Sequence, residues 1–459
     1  MSEGQAQTRR GGREAYLFGA GATPKGSPVE CLLYIPRATR LGRRVRLLGL
    51  VCCGSLLLFF LGGCATHTTL ACPAAKGRTT KVYFATDRQA KGSEPRLQFA
   101  PHRSDPPTLQ VGWEEVSLGA KHAVGKLDPA VAITAVHSGK QVPGGQRGEA
   151  LRRSDAVIAA FANGTLRAAI RASQPPRSNQ PRQVLLFIHG FNNSFDESLR
   201  KAAQLAADLD LVDCAGRSRG VPIAYSWPAE GTVLSYLADE ENAEWTQQRL
   251  VPFLRAVADV CRQERAELHI VAHSMGSRAL IRSLADIANA GGPGMSQPIG
   301  HVILLAPDMG KALFDQYLQR VLPLVQHLTI YVSARDRALS LSRILHGGHE
   351  RLGLIESTIM TALNLTGLSG SSHRELGASP EAQESGKVDM IDVSSGIAGS
   401  FGHSYEDPSF IRDLHELIAN DTPAGTGARQ NLQARETSTD LFHSLGRGRV
   451  RFFQLKAGK

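Results

Sequence analysis

The stretch LHIVAHSMGSRAL, residues 268–280, decides how this chain is read. Leu268–Ala272 is a short continuous apolar run, the signature of a buried strand. From Met275 to Ala288 apolar residues return at helical spacing. Between the two lies Ala272-His273-Ser274-Met275-Gly276. A strand that becomes a helix within a few residues must turn sharply. Small residues two before and two after the serine leave room for that turn. The spacing is that of G-x-S-x-G, with Ala272 standing for the first glycine. Such a corner lifts the Ser274 hydroxyl from the carboxyl edge of a sheet to the start of a helix. The positive end of the helix dipole there favours the oxyanion of a tetrahedral intermediate.

Outward from this stretch, strands and helices alternate. Further short apolar runs at 184–189, 221–226, 301–306, 328–333 and 388–393 predict strands. Helical spacing is found at 198–209, 242–260, 275–288, 311–321 and 408–419. The fold class is therefore α/β, a mostly parallel sheet with helices on both faces. Residues 81–86, 109–118 and 131–137 predict additional strands, and 151–172 a helix. Residues 340–387 break the alternation. Their apolar residues (Leu352, Leu354, Ile355, Ile359, Met360, Leu363) between Gly- and Ser-rich ends suggest a mobile cap over the site, with an ordinary packed insertion as the alternative. The domain then spans 81–420, and 421–459 reads as a polar, Gly-rich tail with a late apolar patch.

A nucleophilic serine needs oxyanion donors, a base and an acid. His189-Gly190-Phe191 follows a buried strand, and the N–H groups of Phe191 and Met275 are the candidate oxyanion hole. His189 and Gly190 support that loop, as Gly276 supports the turn after Ser274. His189 precedes Ser274 in the chain, the wrong order for the base, and is read as a structural imidazole. His403, on the loop after the last strand, is the candidate base; His346, His349 and His373 are competitors within the insertion. Asp336, just past the strand at 328–333, is the preferred acid. Asp308, after the preceding strand, is the alternative acid, and its other reading is a helix N-cap.

Together these residues resemble a bacterial branch of the α/β-hydrolase superfamily, catalogued as hydrolases of unknown function and often lipoproteins or secreted. The resemblance rests on VYFATDR (82–88), FIHGFN (187–192), YSWPA (225–229), VAHSMG (271–276), LLAPD (304–308), SARDRALSLS (333–342) and GHSY (402–405). It implies a Ser-His-Asp hydrolase fold, supports Asp336 and His403 as partners of Ser274, and names no substrate. The expected activity is carboxylesterase-like, on a small-molecule or lipid-like acyl substrate, with no metal and no cofactor. Amidase or peptidase chemistry is the alternative, since both pass through the same oxyanion. A binding lipoprotein that keeps the fold without turnover is the other.

The N-terminal region carries a separate signal. A basic cluster precedes about fifteen apolar residues, 47–61, too few for a comfortable membrane span and suited to a signal-peptide core. The run ends in Leu61-Gly62-Gly63-Cys64, which resembles a bacterial lipobox with Cys64 as the lipidation site. On that reading residues 1–63 are a signal region, 64–80 a tether, and the expected location the cell envelope, on the periplasmic side of the outer membrane; a plain signal peptide with a chance Cys64 and an uncleaved anchor helix are the alternatives. Residues 1–36 lack periodic pattern and lengthen the region before the apolar core, which points to a translation start further on, at a codon such as that of Val29, Leu32 or Leu33.

The net charge of +10 does not imply nucleic acid, because residues 1–63 supply nine basic residues against three acidic ones. With aromatics at 6%, no basic–aromatic interleaving is present to stack bases. Seven cysteines without paired spacing argue against a disulfide scaffold, and Cys214 and Cys261 are expected to be unpaired.

Overall fold

In the computed structural model, strand β8 (Ala266–His273) lies in an 11-stranded sheet. The other strands are β1 (Arg78–Thr86), β4 (Gln110–Leu118), β5 (Ala132–Ser138), β6 (Arg182–Ile188), β7 (Gly220–Ser226), β9 (Ile299–Leu305), β10 (Val325–Val332), β11 (Val388–Asp392), β12 (Leu432–Arg435) and β13 (Val450–Leu455). Their order is β12-β13-β11-β10-β9-β8-β6-β7-β1-β4-β5. The pairs from β1 through β7, β6, β8, β9, β10 and β11 to β13 are parallel; β4, β5 and β12 run antiparallel to their neighbours. The hairpin of β2 (Arg88–Lys91) and β3 (Gln98–Arg103) stands apart. The structure describes residues 78–92, 98–119, 124–125, 132–138, 155–176, 179–213, 215–290, 299–355, 387–395, 407–422, 424, 429, 431–435 and 450–456. All fall within one compact unit, Leu70–Lys459.

Strands β7 and β9 are buried along their whole length, as expected of parallel strands covered on both faces. One face is covered by α1 (Arg167–Ala172, continuing a π-helical turn at Phe161–Leu166), α4 (Gln247–Gln263), α5 (Gly276–Asn289) and α6 (Lys311–Val321), whose Phe253, Leu254, Leu280 and Phe314 share one core. The other is covered by α2 (Phe195–Asp208) and α8 (Pro408–Ala419), through Phe195, Leu199, Phe410 and Leu414. Helix α2 opens with a capping box, Ser194 and Glu197 each accepting the other's backbone N–H.

Strand β6 sits between β7 and β8, although the chain makes β7 before β8. The connections leave β6 in opposite directions, so the loops after β6 and β8 open onto one crevice at the carboxyl edge. Those loops carry Gly190 and Ser274.

Two expectations are corrected. The helix predicted over 242–260 is two helices, α3 (Tyr236–Trp245) and α4, meeting at Thr246. The Thr246 hydroxyl turns inward to the buried carboxylate of Asp87, which is also paired with Arg249 at 3.2 Å. The segment after 421 is no mere tail: β13 continues the sheet in parallel beside β11, burying Phe452, Phe453 and Leu455. Within the insertion, α7 (Arg337–Leu345) is followed by a turn and by residues 351–355, which pack back on the sheet as the packed-insertion alternative expects. Arg351, Leu352 and Ile355 are buried, and the Ser333 and Leu352 N–H groups bond to the Gly353 and Met309 carbonyls. Residues 356–386 lie outside the described residues.

Cys261 is buried and unpaired, its thiol pushed up to about 12 by burial. Cys214 and Cys64 lie outside the described residues. No helix among the described residues is long and apolar enough to cross a membrane.

Candidate active site

Ser274 has φ +51°, in the left-handed region that a non-glycine residue enters at a cost. Its main chain is tied on both sides. The N–H donates to the Leu305 carbonyl at 2.8 Å, and the carbonyl accepts from Ser277 N–H at 3.0 Å and Asp308 N–H at 3.1 Å. Helix α5 then starts so close to the end of β6 that a Cβ on Gly276 would lie 2.3 Å from the His189 carbonyl oxygen. Only glycine fits there, which accounts for that half of the motif. Across the crevice, a Cβ on Gly190 would come within 2.8 Å of Ser274 Cβ and of His273 Nδ1. The loop after β6 therefore rides directly on the turn that carries the serine. Neither Phe191 N–H nor Met275 N–H has a hydrogen-bond acceptor among the described residues.

His189 is fully buried and braces this loop. Its ring stacks on Trp227 (centroids 4.9 Å apart, planes 9° apart), Nδ1 lies 2.8 Å from the Gly190 carbonyl oxygen, and Trp227 Nε1–H donates to the His189 carbonyl at 2.7 Å. Burial, and after it the Arg88 guanidinium, hold the imidazole well below its usual basicity. A neutral Nδ1–H donor to Gly190 fits that environment.

Arg88, from the VYFATDR motif, had no role in the sequence reading. It is buried and fans out to four groups: the Asn193 carbonyl at 2.6 Å, Ser226 Oγ at 3.0 Å, His189 Nε2 at 3.4 Å and the Ala229 carbonyl at 3.4 Å. It joins the start of β2 to the loops after β6 and β7. Burial lowers its guanidinium to about 10, still charged at neutral pH. Asp87 beside it secures Arg249, which stacks 3.5 Å from the Trp245 ring centroid. The signal was present in sequence only as an Asp-Arg pair directly after a strand.

The two candidate acids differ sharply. Asp308 is buried, but α6 is capped by Gly310, so the helix-cap reading of Asp308 does not hold. Its carboxylate is occupied by Arg351 (Nη2 at 2.6 Å, Nε at 2.8 Å), Ser342 Oγ at 2.7 Å and Tyr236 Oη at 2.5 Å. Burial alone would raise this carboxyl; Arg351 and the two hydroxyls outweigh it and hold it below the usual range. Asp336, fully buried just past β10, is the residue that caps a helix: one carboxylate oxygen accepts from Leu339 N–H at 2.9 Å at the start of α7.

Of the competing histidines, His346 is bound to Glu240 at 2.9 Å and to the Ser342 carbonyl at 2.7 Å, and His349 is exposed. His403 and His373 lie outside the described residues. Among the described residues no group of three or more His, Cys, Asp or Glu is arranged to hold a metal ion.

Residues 170–369 match a family described as "Alpha/beta hydrolase of unknown function (DUF900)". The match spans less than half of the chain; with the strand order and the turn at Ser274, it makes this chain similar to α/β-hydrolases. Among solved structures, one described under "LipS and LipT, two metagenome-derived lipolytic enzymes" aligns at 14% identity, over 40% of this chain and 85% of its own, with a TM-score of 0.23. Comparison with curated proteins returns no match.

Proposed function

We propose that the protein is a serine hydrolase of carboxylesterase type, acting through Ser274, His403 and Asp336. The observation that carries the reading is the left-handed Ser274 at a strand-to-helix corner, pressed against Gly190. Ser274 Oγ attacks an acyl carbonyl, and His403 accepts its proton and returns it to the leaving group. Phe191 N–H and Met275 N–H receive the oxyanion, and water then releases the acyl group.

Spacing supports Asp336 as the acid. Adjacent strands are about 4.8 Å apart, so the loops after β8 and β10 are separated by roughly 10 Å. An imidazole with a hydrogen bond on each nitrogen spans roughly 8 Å. Asp308, whose N–H bonds the Ser274 carbonyl directly, is too near for an intervening ring, and its carboxylate is committed to Arg351. That β11, the last strand before His403 in the chain, lies beside β10 supports the pairing of His403 with Asp336.

A fluorophosphonate probe tests the reading: it should label the parent chain and fail to label Ser274→Ala, which should unfold at an unchanged temperature. Equal labelling of both would refute it. Hydrolysis of p-nitrophenyl esters of graded length then defines the acyl preference. We further propose lipid attachment at Cys64, holding the domain in the cell envelope. Cys64→Ala should move the protein out of the membrane fraction and abolish lipid labelling; unchanged fractionation would refute the anchor.

A further inference from the structure

Residues 333–335 lie between the end of β10 and Asp336, and the backbone N–H of each is engaged. Ser333 N–H donates to the Gly353 carbonyl at 2.9 Å, and Arg335 N–H to Ser333 Oγ at 3.1 Å. Ala334 N–H donates to Ser394 Oγ at 2.8 Å. Ser394 comes two residues after β11, at the start of the segment that leads to His403. Regular pairing of the two strands stops just before it. Val332 stands opposite Asp392, and Val393 N–H still donates to the Val332 carbonyl at 3.0 Å. At the next step a side chain takes over from the ladder, and that side chain is Ser394.

A hydroxyl is a rotor, and it points in one direction only where its own proton has a destination. Asp392 supplies that destination. One of its carboxylate oxygens accepts from Ser394 N–H, at 2.8 Å, and from the Ser394 hydroxyl. Asp392 is fully buried, and its other oxygen has no hydrogen bond among the described residues. With the proton of Ser394 committed to Asp392, the lone pairs of Oγ are left for Ala334. The following residue is anchored as well: the Ser395 hydroxyl donates to the Leu455 carbonyl at 2.6 Å, at the end of β13.

We propose that Ser394, oriented by Asp392, is a positioning residue for Asp336. It fixes the turn that bears the acid against the exit of β11, from which the chain continues to the base. The proposal rests on the serine-hydrolase reading. Asp336 is two residues past Ala334, and its carboxylate is bound on one side by Leu339 N–H. Losing the Ser394 bond frees the stretch between β10 and that cap. An imidazole held on both nitrogens tolerates little of this, because reacting groups must stay within about 0.5 Å of their productive places.

The test is the rate of fluorophosphonate labelling of the full chain, followed against pH. The base takes the Ser274 proton only when its ring is neutral, so the rate climbs with pH through the titration of the imidazole. A carboxylate against the ring favours its charged form and sets that climb at higher pH. Ser394→Ala should lower the plateau about tenfold, where a full 1 Å misplacement costs about a hundredfold. It should also move the climb to lower pH by about one unit, the low end of the effect of a neighbouring opposite charge. Ser394→Cys, close in shape but a weak acceptor, should do the same. Ser394→Thr keeps the hydroxyl at a half-buried position and should restore both rate and pH. Thermal unfolding of each variant runs alongside: a merely structural role would lower Tm and leave the climb where it was. A labelled parent whose Ser394→Ala variant keeps the parent's rate and pH profile overturns the positioning role alone. Ser394→Thr behaving as Ser394→Ala overturns it too. A parent that takes no label overturns the serine-hydrolase reading, and the proposal with it.

Discussion

Asp336→Asn and Asp308→Asn should separate chemistry from stability in opposite directions. At 336, asparagine keeps a side-chain oxygen for Leu339 N–H, the cap bond seen at 2.9 Å. Asn caps about as well as Asp, so the stability change should stay within about 0.5 kcal/mol. The amide cannot, however, hold an imidazolium, and it favours the wrong tautomer of His403; turnover should fall by up to about 10⁴. At 308 the balance is reversed. The carboxylate neutralises Arg351, whose side chain is itself almost fully buried, and gathers two hydroxyls as well. Replacing one partner of such a pair leaves a buried unpaired charge, a loss of about 3–5 kcal/mol. For a domain of this size that lowers Tm by on the order of 10 °C. A helix-cap role would have made Asp308→Asn nearly silent, and it is the Arg351 contact that changes the expectation. Ester turnover at a temperature where both variants are folded, beside thermal unfolding of each, decides the matter. If Asp308→Asn lost turnover while keeping its Tm, and Asp336→Asn the reverse, the acid would belong after β9 and the proposed triad would be wrong.

Gly190→Ala places a methyl 2.8 Å from Ser274 Cβ, so the loop or the serine must shift. Turnover should drop about 10²–10³, the cost of one misplaced oxyanion donor, with Tm little changed; a near-normal rate would show that the loop does not govern the hole. Glu114 is buried on β4 with neither carboxylate oxygen hydrogen-bonded among the described residues, and burial, with a smaller push from Asp196, raises it to about 8. The folded chain therefore keeps a proton that the unfolded chain loses near the ordinary value of 4.5. Stability from this group is full below that value and falls by about 1.4 kcal/mol per pH unit until pH passes about 8. Glu114→Gln should remove that decline, matching the parent at low pH and exceeding it above 8 in denaturant titrations; parallel pH profiles would refute the assignment.

What was legible in the sequence was what periodicity and local sterics write into it. The buried parallel strands announce themselves because both faces are covered and the run is apolar, as at residues 302–305. The elbow is legible because its corner calls for small residues two before and two after Ser274. Polar contacts inside the core leave no such trace. Nothing periodic says that Thr246 will abandon a helix to reach Asp87, 159 residues away, or that Arg351 will return to Asp308. Strand β13 is unmarked in the sequence for a related reason. Its apolar residues follow a polar stretch and lie far in sequence from their parallel partner β11, so nothing local marks the pairing. The proposed base, His403, is legible only from chain order, and it lies outside the described residues.

The strain at Ser274 also explains why so much polar material is buried around it. A left-handed serine costs about 1–3 kcal/mol and persists only where its surroundings permit nothing else. Here the neighbouring strand repeats the device. Ala306 also has positive φ (+41°), at the end of β9, and its N–H is held by the Tyr331 carbonyl of β10. Against that second turn packs Gly353, where a Cβ would lie 2.6 Å from the Ala306 carbonyl carbon. Arg351, two residues before, grips Asp308, and the Asp308 N–H in turn holds the Ser274 carbonyl. An apolar contact could fill the same space, but it would not fix the direction of a peptide group. The charged bonds do both. Residues 351–353 are therefore a buttress, linked in two steps to the turn that bears Ser274. Arg88 does on the Gly190 side what Arg351 does on the Asp308 side, so the strained corner is held from both flanks by buried guanidinium groups.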